Sequence, residues 1–388
     1  VMISLTRMRR VINVDIRNRR ITAEAGVINL KLSQHVAGDD YHYAPDPSSQ
    51  MACTIGGNVA ENAGGPHTLK YGVTTNHLLG AKMVLPTGEI LEIFGETDEP
   101  LGYDLLGLIT GSEGTFGIVT EVTVRLTRLP EAKHTALAVF ETIDDATHCV
   151  SDIIAAGIVP AALEMMDSTI IEAVEAAFHF GFPLDASAVL IIELDGIAAG
   201  LDRLGSDVEA ICLKNNAREV RVAGDETERA NLWMARKKAV GTLGKLSPSH
   251  CTQDGVIPRS KLPQVLRRIS AVAKSYDLRV ANVFHAGDGN LHPILLYDDR
   301  DPDQVKRVIE CGGEILKICV EVGGTITGEH GVGVEKMDFM SLIFTPVDLD
   351  TMARVRAVFN PQGLCNPDKV LPTTKGCVEL LLAKRGVH

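Results

Sequence analysis

A chain of 388 residues, 45% hydrophobic, 23% charged and 4% aromatic, has the composition of a compact protein with room for two cores, which excludes intrinsic disorder. Its formal net charge of −12 leaves no broad basic surface, so nucleic acid is excluded as a partner. No run of eighteen apolar residues and no signal-peptide pattern is present, and the eight cysteines, at 53, 149, 212, 251, 311, 319, 365 and 377, include no CxxC pair, which points to reduced, mostly buried thiols in a cytoplasmic protein.

Strand-like alternation opens the chain over residues 1–5, 11–16 and 21–25, the last two joined by a polar turn at Arg17 to Arg20. The arginines at 7, 9, 10, 17, 19 and 20 read as the solvated edge of that hairpin. Because the first strand starts without a cap or polar tail, an N-terminal portion is expected upstream of Val1. From Pro45 to about Gly117, glycine and small residues cluster in three segments: PDPSS at 45–49, TIGGNVAENAGG at 54–65 and GSEGTFG at 111–117. All three read as loops, with a hairpin (81–85 and 89–94) between them and a strand over 118–126 after them. Leu129-Pro130 sets the expected boundary between a first domain, 1–128, and a second, 129–360, followed by a tail, 361–388, that returns to the first.

The second domain alternates short apolar strands with amphipathic helices. Strands are predicted at 136–141, 161–165, 188–194, 218–222, 254–257, 280–284 and 291–296. Helices are predicted at 144–156, 168–180, 201–215, 225–240, 260–276, 303–322 and 347–358, with Asp167 and Asp225 placed as N-caps. The pattern defines an α/β or α+β sandwich.

None of the glycine-rich segments is a dinucleotide fingerprint: GSEGTFG is spaced GxxGxxG, and GTLGKLS at 241–247 lacks P-loop spacing. They are either plain tight turns or places where backbone amides approach a large ligand with a polar backbone, such as a flavin, because no Cβ intervenes. ANVFHAGDGNLHP at 281–293 reads as strand, turn, strand, a hairpin that brings His285 beside His292 so that two imidazoles can converge on one ion. A helix stops at Gly323-Gly324, and a short strand at 325–327 leads into Gly328-Glu329-His330-Gly331. Extended backbone there would turn Glu329 to the ion and His330 to a substrate on the opposite side. Two imidazoles and a carboxylate with open positions suit zinc, manganese or iron; surface hydrogen bonding is the plainer alternative for the same residues.

PDPSSQMACTIGGNVAENAGG, GSEGTFGIVTEVTV, LEMMD, ANVFHAGDGNLHP and GEHGVGVEK together resemble the FAD-linked oxidase family, in its glycolate oxidase, D-lactate dehydrogenase and D-2-hydroxyglutarate dehydrogenase group. The resemblance implies an α+β fold of two domains. One is a vanillyl-alcohol-oxidase type FAD-binding domain, incomplete at its N-terminus, and the other an α/β substrate-binding cap domain with a largely antiparallel sheet. It implies flavin contacts at Pro45, Asp46, Ser48, Gly56, Gly57, Asn58, Asn62, Gly64, Gly111, Ser112, Glu113, Gly117, Ile118 and Asn366. It assigns the metal to His285, His292 and Glu329, the catalytic base to His330, and substrate binding to Asn290 and to Arg236, whose planar fork pairs with a carboxylate.

The implied reaction is oxidation of a small D-2-hydroxy acid, of the glycolate or D-lactate class, to the 2-keto acid, with proton removal by His330 and hydride transfer to FAD. Implied partners are a flavin-binding and an iron–sulfur subunit, a membrane touched only through such partners, and a second copy of the chain in a homodimer. Asp368, where the family tends to have glycine, weakens the tail contact, and the family's pyrophosphate-binding lobe would lie upstream of Val1. Two alternatives stay open: an accessory subunit of the same fold without FAD or catalysis, and a flavin-independent metal hydrolase.

Overall fold

The computed structural model describes residues 1–94 and 102–372; Cys377 and the tail beyond residue 372 lie outside the described residues. Five strands form the first sheet: β1 (Val11–Asp15), β2 (Arg20–Glu24), β3 (Leu78–Val84), β4 (Ile90–Phe94) and β5 (Ile118–Arg125). They are antiparallel in the order β1-β2-β5-β3-β4. Residues 1–5 form no strand, contrary to their alternating sequence. Met8 N donates to Leu5 O at 2.9 Å and Gly26 N to Met8 O at 2.8 Å, folding the segment over Gly26, where a Cβ would stand 2.2 Å from Leu5 O. Alternation makes a strand only where a neighbouring edge takes up its backbone hydrogen bonds, and here a turn takes them.

Helices α1 (Asn29–Val36) and α2 (Ile55–Glu61) cover this sheet, packing Leu32, Val36, Ile55 and Val59 on Ile21, Val122 and Val124. The segment read as a glycine-rich loop is therefore largely helix. Thr54 Oγ1 accepts Gly57 N at 3.3 Å at its start, and Asn62 ends it in left-handed backbone at φ 52°. Adjacent glycines disfavour helix and hide it from a propensity reading. Gly56 is there for packing, since a Cβ would stand 2.6 Å from Ala25 Cβ.

The second domain holds a nine-stranded sheet. Its strands are β6 (Ala132–Phe140), β7 (Ala162–Asp167), β8 (Ala188–Gly196), β9 (Ala217–Val222), β10 (Ser249–Thr252), β11 (Gly255–Val256), β12 (Arg279–His285), β13 (Asn290–Leu291) and β14 (Pro293–Tyr297). The path runs β9-β6-β8-β7-β12-β13-β11, β14 pairs with β10 and β12, and the pairings are antiparallel. Its helices are α3 (Ile143–Ala155), α4 (Ser168–Phe178), α5 (Leu201–Lys214), α6 (Glu226–Thr242), α7 (Leu262–Ser275) and α8 (Pro302–Glu321). Along β8, Ala188, Leu190, Ile192 and Leu194 pack toward α3, α5, α7 and α8, while Val189 and Ile191 pack toward α4 and α6. Burial on both faces explains the apolar run from Ala188 to Ile192 in a period-two element. Asp167 and Asp225 cap α4 and α6, accepting Ile170 N at 3.1 Å and Glu228 N at 2.9 Å.

The chain returns to the first domain at Val332, where Glu113 accepts Val332 N at 2.6 Å and Gly333 N at 2.7 Å. Helix α9 (Pro346–Phe359) continues the contact by stacking Phe359 on Phe116, ring centroids 4.8 Å apart. Asn360 Nδ2 donates to Thr115 O at 2.9 Å, and Asn366 Nδ2 to Glu113 O at 2.5 Å.

A candidate active site between the two domains

The β12–β13 hairpin pairs His285 with Asn290 and turns through Gly289 at φ 80°, a left-handed conformation that suits glycine. It sets the rings of His285 and His292 edge to face, 5.2 Å apart. Their Nε2 atoms lie 3.2 and 3.1 Å from the same oxygen, Glu329 Oε1, and the candidate ligand atoms of all three residues fall within 4.8 Å of one another.

Residues 325–327 supply one bridge, Thr325 to Val256, and not the expected strand. The backbone that follows wraps around the buried carboxylate of Asp254. That group accepts Thr327 Oγ1 at 2.6 Å, Gly328 N at 2.9 Å, Glu329 N at 3.2 Å, His330 N at 3.0 Å and Lys336 Nζ at 3.2 Å. Glu329 and His330 consequently do not point to opposite sides; both meet His292. Glu329 faces its Nε2, and His330 stacks on its ring, centroids 5.0 Å apart and 2° from parallel. Asp254 could also join His292 and His330 as a ligand group; its Oδ2 takes all five donors, while its Oδ1 shares only Glu329 N, at 3.2 Å. Asp254 holds the loop.

Burial opposes the ionisation of Glu329, but hydrogen bonds from His285 and His292 overcome it and keep the carboxyl well below the usual range. Burial likewise works against a charged His285, yet Glu164 and Glu329 push it up to about 10. The same carboxylates are the charge complement of a dication, whose binding would release that proton. His292 Nδ1 is buried with no hydrogen-bond partner. Two imidazoles and one carboxylate converging on a point form a donor set that fits a divalent transition metal. His330 is exposed and lines the cavity between the domains, and desolvation by the protein around it lowers its pKa below the ordinary imidazole value.

A cavity of 820 Å³ joins the domains. Arg236, His285, His292, Glu329 and His330 line one wall; Ser48, Thr54, Gly57, Asn58 and Glu61 line the other. A neighbouring cavity of 330 Å³ is lined by Asn62, Gly111 and Glu113 together with Glu329. A third, of 650 Å³, includes Asp46. Gly57 has the space a close ligand needs, since a Cβ there would meet Thr54 Oγ1 at 3.4 Å. Several of the other expected flavin contacts have structural neighbours of their own. Pro45 O accepts Asn29 Nδ2 at 3.1 Å, Ser112 Oγ donates to Ile109 O at 2.7 Å, and Ile118 begins β5. A Cβ at Gly64 would stand 2.6 Å from Thr68 Oγ1, and one at Gly117 2.8 Å from Val84 O. Asn290 lies against Gly328, where a Cβ would stand 2.4 Å from Asn290 Oδ1.

Three acidic residues belong to this site without having been given a role from the sequence: Asp254, Glu164 and Glu61. Glu164 is fully buried and takes His285 Nδ1 at 2.7 Å; a lone glutamate inside the apolar run Ala161 to Met166 was the available signal. Glu61 lines both of the first two cavities, and burial, then the charge of Glu113, pushes its carboxyl up to about 7.

A five-stranded α+β domain facing an antiparallel-sheet cap across such a cavity defines a vanillyl-alcohol-oxidase type flavoprotein. The 4-ethylphenol oxidase from Gulosibacter chungangensis shares this fold with a TM-score of 0.77 at 17% identity, over 95% of this chain and 80% of that one. For p-cresol methylhydroxylase the TM-score is 0.72 at 16% identity, over 94% and 78%. The FAD binding domain family matches residues 1–93, and the family of FAD linked oxidases, C-terminal domain, matches residues 129–370. The chain belongs to the FAD-linked oxidase family and is an FAD-dependent oxidoreductase. It is 47% identical over 379 residues to the glycolate oxidase subunit GlcD of Escherichia coli strain K12, covering 98% of this chain and 76% of that protein. Identity to GlcD of Bacillus subtilis strain 168 is 41% over 364 residues, covering 94% and 77%. Identity to the D-lactate dehydrogenase of Anaerostipes hadrus is 31% over 379 residues, covering 95% and 80%. Among the described residues no helix is long and apolar enough to cross a membrane.

Proposed function

We propose that this chain oxidises a small D-2-hydroxy acid, of the glycolate or D-lactate class, to the 2-keto acid. The observation that carries the reading is the single cavity in which Arg236, His330 and the cluster of His285, His292 and Glu329 face the FAD-domain wall. When bound, FAD would accept the hydride, and zinc, manganese or iron would supply Lewis acidity to the 2-hydroxyl. His285, His292 and Glu329 hold the ion in this reading. Arg236 offers a planar cation to the substrate carboxylate. His330 is neutral near pH 7, because its pKa is lowered, and takes the hydroxyl proton on a ring nitrogen. Gly57 and Asn58 provide close approach on the flavin side.

The names of the relatives, glycolate oxidase subunit and D-lactate dehydrogenase, support the substrate class. The word subunit supports assembly with further chains, and we infer a flavin-binding and an iron–sulfur partner, since this sequence has no CxxC pair of its own. The test is anaerobic addition of glycolate or D-lactate to the purified, FAD-loaded protein. Bleaching of flavin absorbance at about 450 nm with release of one 2-keto acid per flavin is expected. An unchanged spectrum with both acids would refute the assignment.

A further inference from the structure

Glu164 sits on β7 directly opposite His285 of β12, with Ile191 of β8 opposite it on the other side. It is fully buried. Its carboxylate is shared between two functional side chains. His285 Nδ1 lies 2.7 Å from Oε1 and 3.0 Å from Oε2, while Arg236 places Nε at 2.6 Å and a terminal guanidinium nitrogen at 2.6 Å from Oε2. A buried carboxylate is costly, and packing alone would be served by an apolar residue of similar volume. What the carboxylate does that an apolar residue cannot is accept from two donors at once.

We propose that Glu164 is a positioning residue that couples the metal site to the substrate-carboxylate site. By accepting the Nδ1 proton of His285 it fixes the tautomer whose Nε2 faces Glu329 and the ion. By holding one edge of the Arg236 guanidinium it turns that group's remaining edge to the cavity. The inference rests on the hydroxy acid reading above and adds a coupling that no single contact implies. Glutamine has the same shape but only one acceptor oxygen, so Glu164→Gln cannot keep both donors satisfied.

The experiment uses the purified, FAD-loaded protein and three readouts besides turnover. These are zinc affinity by competition with a chromophoric chelator, oxalate affinity by perturbation of the flavin spectrum, and the thermal midpoint. Glu164→Gln is expected to weaken zinc binding by about 10- to 100-fold, to weaken oxalate binding as well, and to keep FAD stoichiometry. Arg236→Lys, in contrast, should weaken oxalate far more than zinc. Glu164→Asp, which keeps the charge but is one methylene shorter, is read the same way where the glutamine variant does not fold. Unchanged zinc affinity or unchanged oxalate affinity in a folded variant would overturn the coupling. So would a lowered midpoint with both affinities intact, or failure of both variants to fold, each of which assigns Glu164 to the scaffold alone. Failure of the underlying functional reading is separate, and would appear as an unsubstituted protein that binds neither zinc nor oxalate.

Discussion

The two walls of the interdomain cavity are built on opposite principles. On the cap side the polar groups satisfy one another inside the protein: Asp254 takes five donors from the 327–336 segment, and Glu164 clamps His285 and Arg236. On the other side short, small side chains such as Ser48, Ser49, Ala52, Gly57 and Ala63 leave surface open to the cavity. A small ion needs a few atoms held in place from behind, whereas a large flat cofactor needs area and close backbone approach. Rigidity on one wall and vacancy of side chains on the other match what the proposed function asks of each.

The sharpest break of this contrast is His330→Ala. Turnover should fall by about 10²–10⁴-fold, while metal content by mass spectrometry and flavin stoichiometry stay at the unsubstituted level, because in the proposed reading His330 stacks on His292 as the base and is not one of the proposed ligands. Loss of metal in that variant would move His330 into the ligand set. Next in size is the seam between the walls. Glu193 is buried and accepts Thr135 Oγ1 at 2.8 Å, Trp233 Nε1 at 2.5 Å and Arg229 at 3.1 Å. Glu193→Ala strands these donors and should cost about 3–5 kcal/mol in denaturant unfolding.

A smaller effect separates two neighbouring glycines. Gly56→Ala drives a Cβ to 2.6 Å from Ala25 Cβ and should lower stability by about 1–3 kcal/mol. Gly57→Ala has room and should leave the midpoint unchanged, yet weaken FAD by about tenfold in a fluorescence titration. Equal behaviour of the two variants would remove the distinction between packing and ligand glycines.

A further effect is one of pH. Burial works against charge on His67, but Asp46 at 2.8 Å and Glu193 at 3.4 Å raise its pKa from 6.5 to about 10. A folded-state pKa raised above the unfolded one gives stability that is fully present below about pH 6.5 and lost as pH rises through about 10. Unfolding midpoints of the unsubstituted protein and His67→Gln should therefore differ at neutral pH and converge above pH 10.

Much of the cap was legible in its residues. Asp167 and Asp225 cap the helices assigned to them, and the Gly-Asp-Gly turn does bring His285 to His292. These are short-range effects, in which a side chain meets backbone three residues on or a turn closes on itself. What was not legible is equally particular. Residues 1–5 alternate but find no edge to pair with, Gly56 and Gly57 mask helix α2, and nothing in Gly-Glu-His-Gly tells that its amides curl around Asp254.

By itself the sequence determined the periodicities, the caps, the hairpin and the residue types able to hold an ion. Only the tertiary structure decided which of them meet. Glu164 and His285 are 121 residues apart in the chain and touch because β7 and β12 pair in one register. A slip of one residue would turn Glu164 to the opposite face of the sheet, away from Arg236. Pairing register is a property of the packed whole, so the carboxylates behind the candidate site had to be found there.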